Sequence, residues 1–189
     1  MWDQPSEPAD PAAVTQVLDR VAKTRPRCGA VRVVAVDGRS GSGKTTLARA
    51  VAAALQAPVV HMDRLYPGWD GLAASVPILV SEILAPLAEE VSAAYRVWDW
   101  HRDRWNGREH LAPAPVLVVE GCGSSVGPAG EYAALRVWME APRRERLRRG
   151  LARDGETYRP HWERWAAQED RLYAADGTRA KADLVIRTG

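Results

Sequence analysis

The sequence predicts an α/β fold of three layers, α/β/α, in which helices cover both faces of a central, mainly five-stranded parallel sheet. Two observations lead there. Five short apolar, β-branched runs, at 30–36, 58–62, 115–120, 135–139 and 183–186, have strand length and suit strands buried on both faces. Helical patterns separate most of them. Strands alternating with helices make a parallel sheet whose ligands gather at the carboxyl ends of its strands.

The elements follow in order. Residues 1–9 read as a loose tail, and 10–189 as a single domain. Asp10 before Pro11 is a helix cap followed by proline in the first turn. Val14, Val17, Leu18 and Val21 then repeat at helical spacing until Pro26 ends the segment. "AVRVVAV" is the first strand. After a glycine-rich turn, Leu47, Val51 and Leu55 share one helical face. "PVVHM" is the second strand, and residues 72–91 are mostly helical with interruptions at Pro77 and Pro86. "PVLVVE", "LRVWM" and "DLVI" complete the sheet. The chain shows neither internal repeats nor low-complexity segments.

Composition narrows the function. A net charge of +2, from 26 basic and 24 acidic residues, is too small to argue for nucleic acid. Lysine occurs only at 23, 44 and 181, so nearly all the positive charge is arginine. The apolar runs are far shorter than the ~18 residues a membrane span needs. The start, "MWDQPSEPADP", is acidic and lacks the apolar core of a secretory signal. Cys28 and Cys122 have the spacing of neither a disulfide framework nor a zinc site. A cytoplasmic enzyme is the expectation, with monomer and homo-oligomer both open.

"DGRSGSGKTT" carries the strongest signal. Gly38, Gly43, Lys44 and Thr45 complete the pattern G-x-x-x-x-G-K-[ST], between a predicted strand and a predicted helix. In such a P-loop, glycines let backbone N–H groups from Ser40, Gly41, Ser42 and Gly43 through Thr46 turn toward phosphate. The helix that follows adds its N-terminal dipole. Lys44 reaches the β and γ phosphates, and the Thr45 hydroxyl ligates magnesium. The chain is therefore expected to bind ATP and Mg²⁺ in a P-loop NTPase fold. Asp63 and Glu120 end the second and third strands; two carboxylates and a hydroxyl converging at one sheet edge suit a hydrated magnesium ion.

At this point the sequence resembles the uridine kinase and phosphoribulokinase family of P-loop kinases. The matching pieces are "DGRSGSGKTT", "HMDRLY", "VLVVEG", "RLRRGLARD" and the closing "ADLVI", in family order from about residue 30 onward. The resemblance implies that Asp63 takes the proton from the acceptor hydroxyl and that Thr45 and Glu120 complete the magnesium site. It implies that Arg149 and Arg153 belong to a small helical lid, about 143–160, and close over the phosphates. Tyr66, Asp70, Trp98, Trp100 and His101 fall in the region that contacts the acceptor, a nucleoside-like small molecule. The chain departs from the family at Gly150, where an arginine is usual, and at "GETYRP", where the lid segment is ordinarily longer.

Other readings make different demands. A GTPase would carry N/T-K-x-D and a D-x-x-G switch, and neither is present. A motion-coupled ATPase would more often end the third strand in a hydrophobic run plus Asp. A nucleoside monophosphate kinase needs arginines for a second phosphate, and Arg64, Arg102 and Arg104 are candidates. Arg146, Arg149 and Arg153 share a helix face that is either solvated or a lid. In "WDWHRDRW" an extended chain would turn Trp98 and Trp100 to one side, as core caps or as walls of the acceptor pocket. Cys122 reads as a small buried residue, and His61 and His110 as structural.

Overall fold

A computed structural model describes residues 8–189, so the predicted tail falls largely outside the described residues. Helix α1 spans Pro11–Lys23, and the Asp10 carboxylate caps it by accepting the Ala12 N–H at 2.9 Å. Strand β1 (Arg32–Gly38) leads into the P-loop and helix α2 (Lys44–Leu55). Strand β2 is Val59–His61, and a single 3₁₀ turn, Met62–Arg64, follows it. Helix α3 (Leu72–Leu79) contains Pro77, continues through a π-helical stretch, Val80–Leu84, and ends as α4 (Ala85–Ala88). The prolines remove two amide donors without breaking the rod; the chain between them winds wider instead.

An antiparallel hairpin comes next, β3 (Ala93–Asp99) and β4 (Arg104–Leu111), which the sequence reading had not separated from its surroundings. Strand β5 (Val116–Glu120), helix α5 (Pro128–Tyr132), strand β6 (Ala133–Glu140), helix α6 (Arg143–Asp154), helix α7 (Arg159–Asp176) and strand β7 (Leu184–Arg187) complete the chain. The main sheet has the order β2–β5–β1–β6–β7, with every neighbouring pair parallel. Its five strands are those expected, within a residue or two at their ends. Among the described residues no helix is long and apolar enough to cross a membrane.

Both faces of the sheet are buried, and the period-2 alternation of the strands assigns each side chain to one of them. Val34, Val36, Val118 and Val137 pack with Val17 and Val21 of α1 and Leu47 and Val51 of α2. Val33, Leu117 and Val119 pack on the other face with Leu72 and Leu79 of α3, Trp165 and Tyr173 of α7, and Tyr95 of β3. Strand β1 lies in the middle, with β5 on one side and β6 on the other. The chain leaves β1 toward β2 but later crosses it between β5 and β6, which opens a crevice at the carboxyl end of β1.

That crevice is held by one buried carboxylate. Asp37, fully buried, accepts hydrogen bonds from the N–H groups of Gly38 (2.7 Å), Gly123 (3.0 Å) and Ser125 (2.8 Å). It also accepts from the hydroxyls of Ser125 (2.9 Å) and Tyr173 (2.7 Å). The P-loop entrance, the turn after β5 and helix α7 are thereby fastened to one side chain. Replacing Asp37 with Ala leaves several buried donors unmet, each costing about 1–3 kcal/mol. Urea denaturation of Asp37→Ala should show a loss of at least about 3 kcal/mol. A loss below about 0.5 kcal/mol, the range of an ordinary surface substitution, would contradict this account.

Candidate functional site

A cavity of about 630 Å³ opens at the carboxyl ends of β1, β2 and β5. The P-loop forms its floor. Gly41 adopts φ +79°, and an added Cβ would lie 2.3 Å from the Arg146 carbonyl oxygen, so this turn admits only glycine. Lys44 is nearly buried; its Nζ donates to the Arg39 carbonyl at 3.0 Å and lies 3.5 Å from the Cys122 sulfur. Burial opposes the Lys44 ammonium, but the acidic groups around it, Cys122, Glu169, Glu120 and Asp37, more than offset this and raise its pKa. Glu169, buried on α7, accepts the Ser40 N–H at 2.6 Å and braces the loop from behind.

The acidic side of the cavity is built by the ends of β2 and β5, where His61 stands beside Glu120 in register. Thr45 at the start of α2 donates its hydroxyl to Glu120 Oε2 at 3.2 Å. His61 Nδ1 donates to Glu120 Oε1 at 2.6 Å. Asp63 sits in the 3₁₀ turn just beyond β2. Burial pushes its carboxyl up to about 6, repulsion from Glu120 adds to this, and Arg153, Lys44 and His61 pull the other way. Two carboxylates and a hydroxyl are hard oxygen donors, and their mutual repulsion is what a divalent cation relieves. They fit magnesium, which takes one or two carboxylates and completes its shell with phosphate and water.

Helix α6 lies across the loop. Arg149, Gly150 and Arg153 line the cavity, as does Arg148. Arg149 Nη1 donates to the Thr188 hydroxyl at 2.8 Å, and that hydroxyl donates to the Ser42 carbonyl at 3.1 Å. Arg146 does not share this setting despite its helical spacing. It is buried, donates to the Ser40 carbonyl at 3.2 Å, lies 3.6 Å from Glu169 and stacks over Trp162. The solvated-face reading therefore fails for Arg146, because Glu169 and Trp162 of α7 enclose its guanidinium. The two departures around Gly150 prove to be one packing arrangement. The Tyr158 ring of "GETYRP" covers Gly150, and its hydroxyl lies 2.9 Å from the Ser40 hydroxyl.

The remaining wall is aromatic. Tyr66, Trp69, Trp100, Tyr158 and Trp165 all line the cavity. Trp69 meets Trp100 edge-on at 5.0 Å and Trp165 at 6.3 Å, and its outer face stacks on His161 at 4.2 Å. The Trp100 indole N–H donates to the Asp63 carbonyl at 2.8 Å, and the Tyr66 hydroxyl donates to the Cys122 carbonyl at 2.8 Å. The polar tips of Trp100 and Tyr66 are thus turned into the protein and bonded to backbone carbonyls.

No protein-family model and no curated protein matches the sequence. Solved structures do match in three dimensions. One, described as a possible uridine kinase from Bacillus stearothermophilus, superposes with a TM-score of 0.68 at 17% identity, over 93% of this chain and 97% of the other. Another, provisionally assigned as a fructose transport system kinase from Silicibacter sp. TM1040, gives 0.59 at 23% identity over the same shares. The chain has the P-loop kinase fold.

Within this kinase fold the sequence-derived residues divide. Ser40, Gly41, Gly43, Lys44, Thr45, Thr46, Asp63, Tyr66, Trp100, Glu120, Arg149 and Arg153 meet around one cavity, while Gly38 and Ser42 belong to the loop without lining it. Asp70, Trp98 and His101 lie elsewhere. Asp70 is exposed and ion-paired with Arg164 of α7. The segment 98–105 is not extended, because the Asp99 carboxylate accepts the N–H groups of His101 (3.0 Å) and Arg102 (3.1 Å) and folds the chain back. Trp98 therefore packs edge-on against Trp105 across the hairpin, 5.1 Å away, while His101 is exposed at its tip. Trp69, Tyr158 and Trp165 went unrecognised; a tryptophan six residues after Asp63, in "YPGWD", was the available signal for the first.

The Gly150–Tyr158 contact makes a prediction of sign. A Cβ at Gly150 would lie 2.6 Å from Tyr158 Cε1. Glycine to alanine in an open helix stabilises by about 1 kcal/mol. Here Gly150→Ala should instead lower the melting temperature, and in a Tyr158→Ala background it should raise it. The double-mutant cycle is expected to give a coupling of at least about 1 kcal/mol; additive effects would mean that the ring does not rest on Gly150.

Proposed function

We propose that this protein is an ATP- and magnesium-dependent kinase that transfers the γ-phosphoryl group to a hydroxyl of a flat, nucleoside-like small molecule. The observation that carries the proposal is Asp63, which lines one cavity together with Lys44 and Thr45 on one side and the aromatic wall on the other. The two similar structures, one described as a possible uridine kinase and the other provisionally assigned as a fructose transport system kinase, are in keeping with a hydroxyl acceptor.

The roles follow from position. The P-loop amides and Lys44 hold the β and γ phosphates, and Arg149 and Arg153 approach from α6, which acts as the lid. Thr45, Glu120 and Asp63 would hold magnesium, which supplies charge neutralisation at the phosphates during transfer. Asp63 accepts the proton of the acceptor hydroxyl as its oxygen bonds to the γ-phosphorus; the bond to the β–γ bridging oxygen breaks and ADP leaves. Burial makes Asp63 a stronger base than an exposed aspartate. The aromatic wall holds the acceptor by its faces, each stacked base gaining roughly 1–3 kcal/mol.

The monophosphate kinase reading finds less support. Arg64 is ion-paired with Glu109, Arg102 is exposed on the hairpin turn beside Asp99, and Arg104 is exposed on β4. None of the three lines the cavity.

Two substitutions test the assignment. Asp63→Asn should lower kcat by about 10²- to 10⁴-fold while nucleotide binding persists. Retention of more than a tenth of native kcat would make Asp63 a turn residue. Trp100→Ala should raise the acceptor KM by about ten- to a hundredfold, the equivalent of losing one stacking face, and leave the ATP KM nearly unchanged. Equal effects on both KM values, with a collapse in stability, would make Trp100 a core residue instead.

A further inference from the structure

His61 is the one imidazole in contact with the acidic cluster, and its place is set by the sheet. Strands β2 and β5 pair in parallel with His61 directly opposite Glu120. At that register the imidazole Nδ1 donates to Glu120 Oε1 at 2.6 Å, and the Thr45 hydroxyl donates to Oε2 at 3.2 Å. Each carboxylate oxygen has a different partner, so rotation of the Glu120 carboxyl would break both bonds. Glu120 itself is nearly buried, and Asp63 follows His61 by two residues.

We infer that His61 is a positioning residue: it holds one oxygen of Glu120 and thereby aims the other at Thr45, where a divalent cation bound with nucleotide would sit. The inference rests on the reading of Thr45 and Glu120 as metal-holding groups. It goes beyond that reading in assigning the orientation of Glu120 to a side chain that is not among those lining the cavity. A ligating carboxylate left to rotate loses part of its affinity, and removal of such outer partners characteristically costs 10- to 100-fold in metal binding or activity. A donor is required there, and its geometry matters more than its charge. An asparagine amide can offer an N–H close to the position of Nδ1, whereas leucine fills the space and offers none.

Binding of a fluorescent ATP analogue, titrated with magnesium, tests this without any acceptor or turnover. His61→Leu should raise the half-saturating magnesium concentration by about 10- to 100-fold. Nucleotide affinity without metal should stay within about twofold of native, and His61→Asn should recover most of the loss. If His61→Leu does not fold, His61→Gln takes its place: its donor sits one methylene farther out, it mis-sets Glu120, and the same shift is expected. The inference is overturned if the magnesium requirement moves less than about threefold, or if affinity falls equally with and without metal. It is also overturned if Asn is as defective as Leu, or if native nucleotide binding does not respond to magnesium. A protein that binds nucleotide with magnesium but phosphorylates nothing would refute the kinase reading and leave this inference standing.

Discussion

A phosphate-binding loop points its amide donors inward, toward a space that in the free protein holds no phosphate. Such a curl has little to hold it from inside, so it must be held from behind. Two buried carboxylates do this: Asp37 at the entrance, with five hydrogen bonds, and Glu169 on α7, which takes the Ser40 N–H. Each is removed from water, and burial raises the Glu169 carboxyl above its ordinary range although Ser40, Lys44, Cys122 and Arg146 act against this. Burying a carboxylate is costly unless its hydrogen bonds are met. Those of Asp37 are met by the loop entrance and the elements it must be aligned with; Glu169 takes the Ser40 N–H on Oε1, while its Oε2 makes no hydrogen bond and faces the Arg146 guanidinium at 3.6 Å.

The same arrangement organises the charges. Arg146 lies on the side of the loop that faces α7, while Lys44, Arg149 and Arg153 line the cavity. One helix with a run of arginines is thus buried against α7 at Arg146 and faces the cavity at its later positions. The exposed pairs, Arg148 with Glu145 or Arg159 with Glu156, belong to a third class that solvent screens and that contributes little. The aromatic wall completes the enclosure. The polar tips of Trp100, Tyr66 and Tyr158 are satisfied by backbone carbonyls and by Ser40.

Much of the fold was legible because its sheet strands are continuous β-branched runs bounded by glycine or proline, and the P-loop is a local motif whose spacing carries its chemistry. The hairpin was not legible. Strand β4 is mostly polar, with Arg104, Arg108, Glu109 and His110, and the residue that turns the hairpin, Asp99, works through an Asx bond to Arg102 rather than through a Gly-Asn signal. Trp98 and Trp100 were consequently paired when the turn separates them. The brace from Glu169 was invisible for another reason: its partner Ser40 is 129 residues away, and nothing in "WAAQEDR" distinguishes a buried glutamate from its exposed neighbours. His61 has no metal-ligand spacing in the sequence, and its partner Glu120 lies on the adjacent strand, where only the sheet register brings the two together.

The central claim is that a loop held open by buried carboxylates presents a triphosphate to a hydroxyl held beside Asp63. ADP formation from ATP and magnesium, measured with and without each member of a broad panel of hydroxyl-bearing metabolites, tests it most directly. The account predicts a low rate with no acceptor and a much higher one with at least one nucleoside-like compound, one phosphate ester appearing per ADP. Steady ATP hydrolysis that no compound in the panel accelerates, with inorganic phosphate as the product, would contradict it.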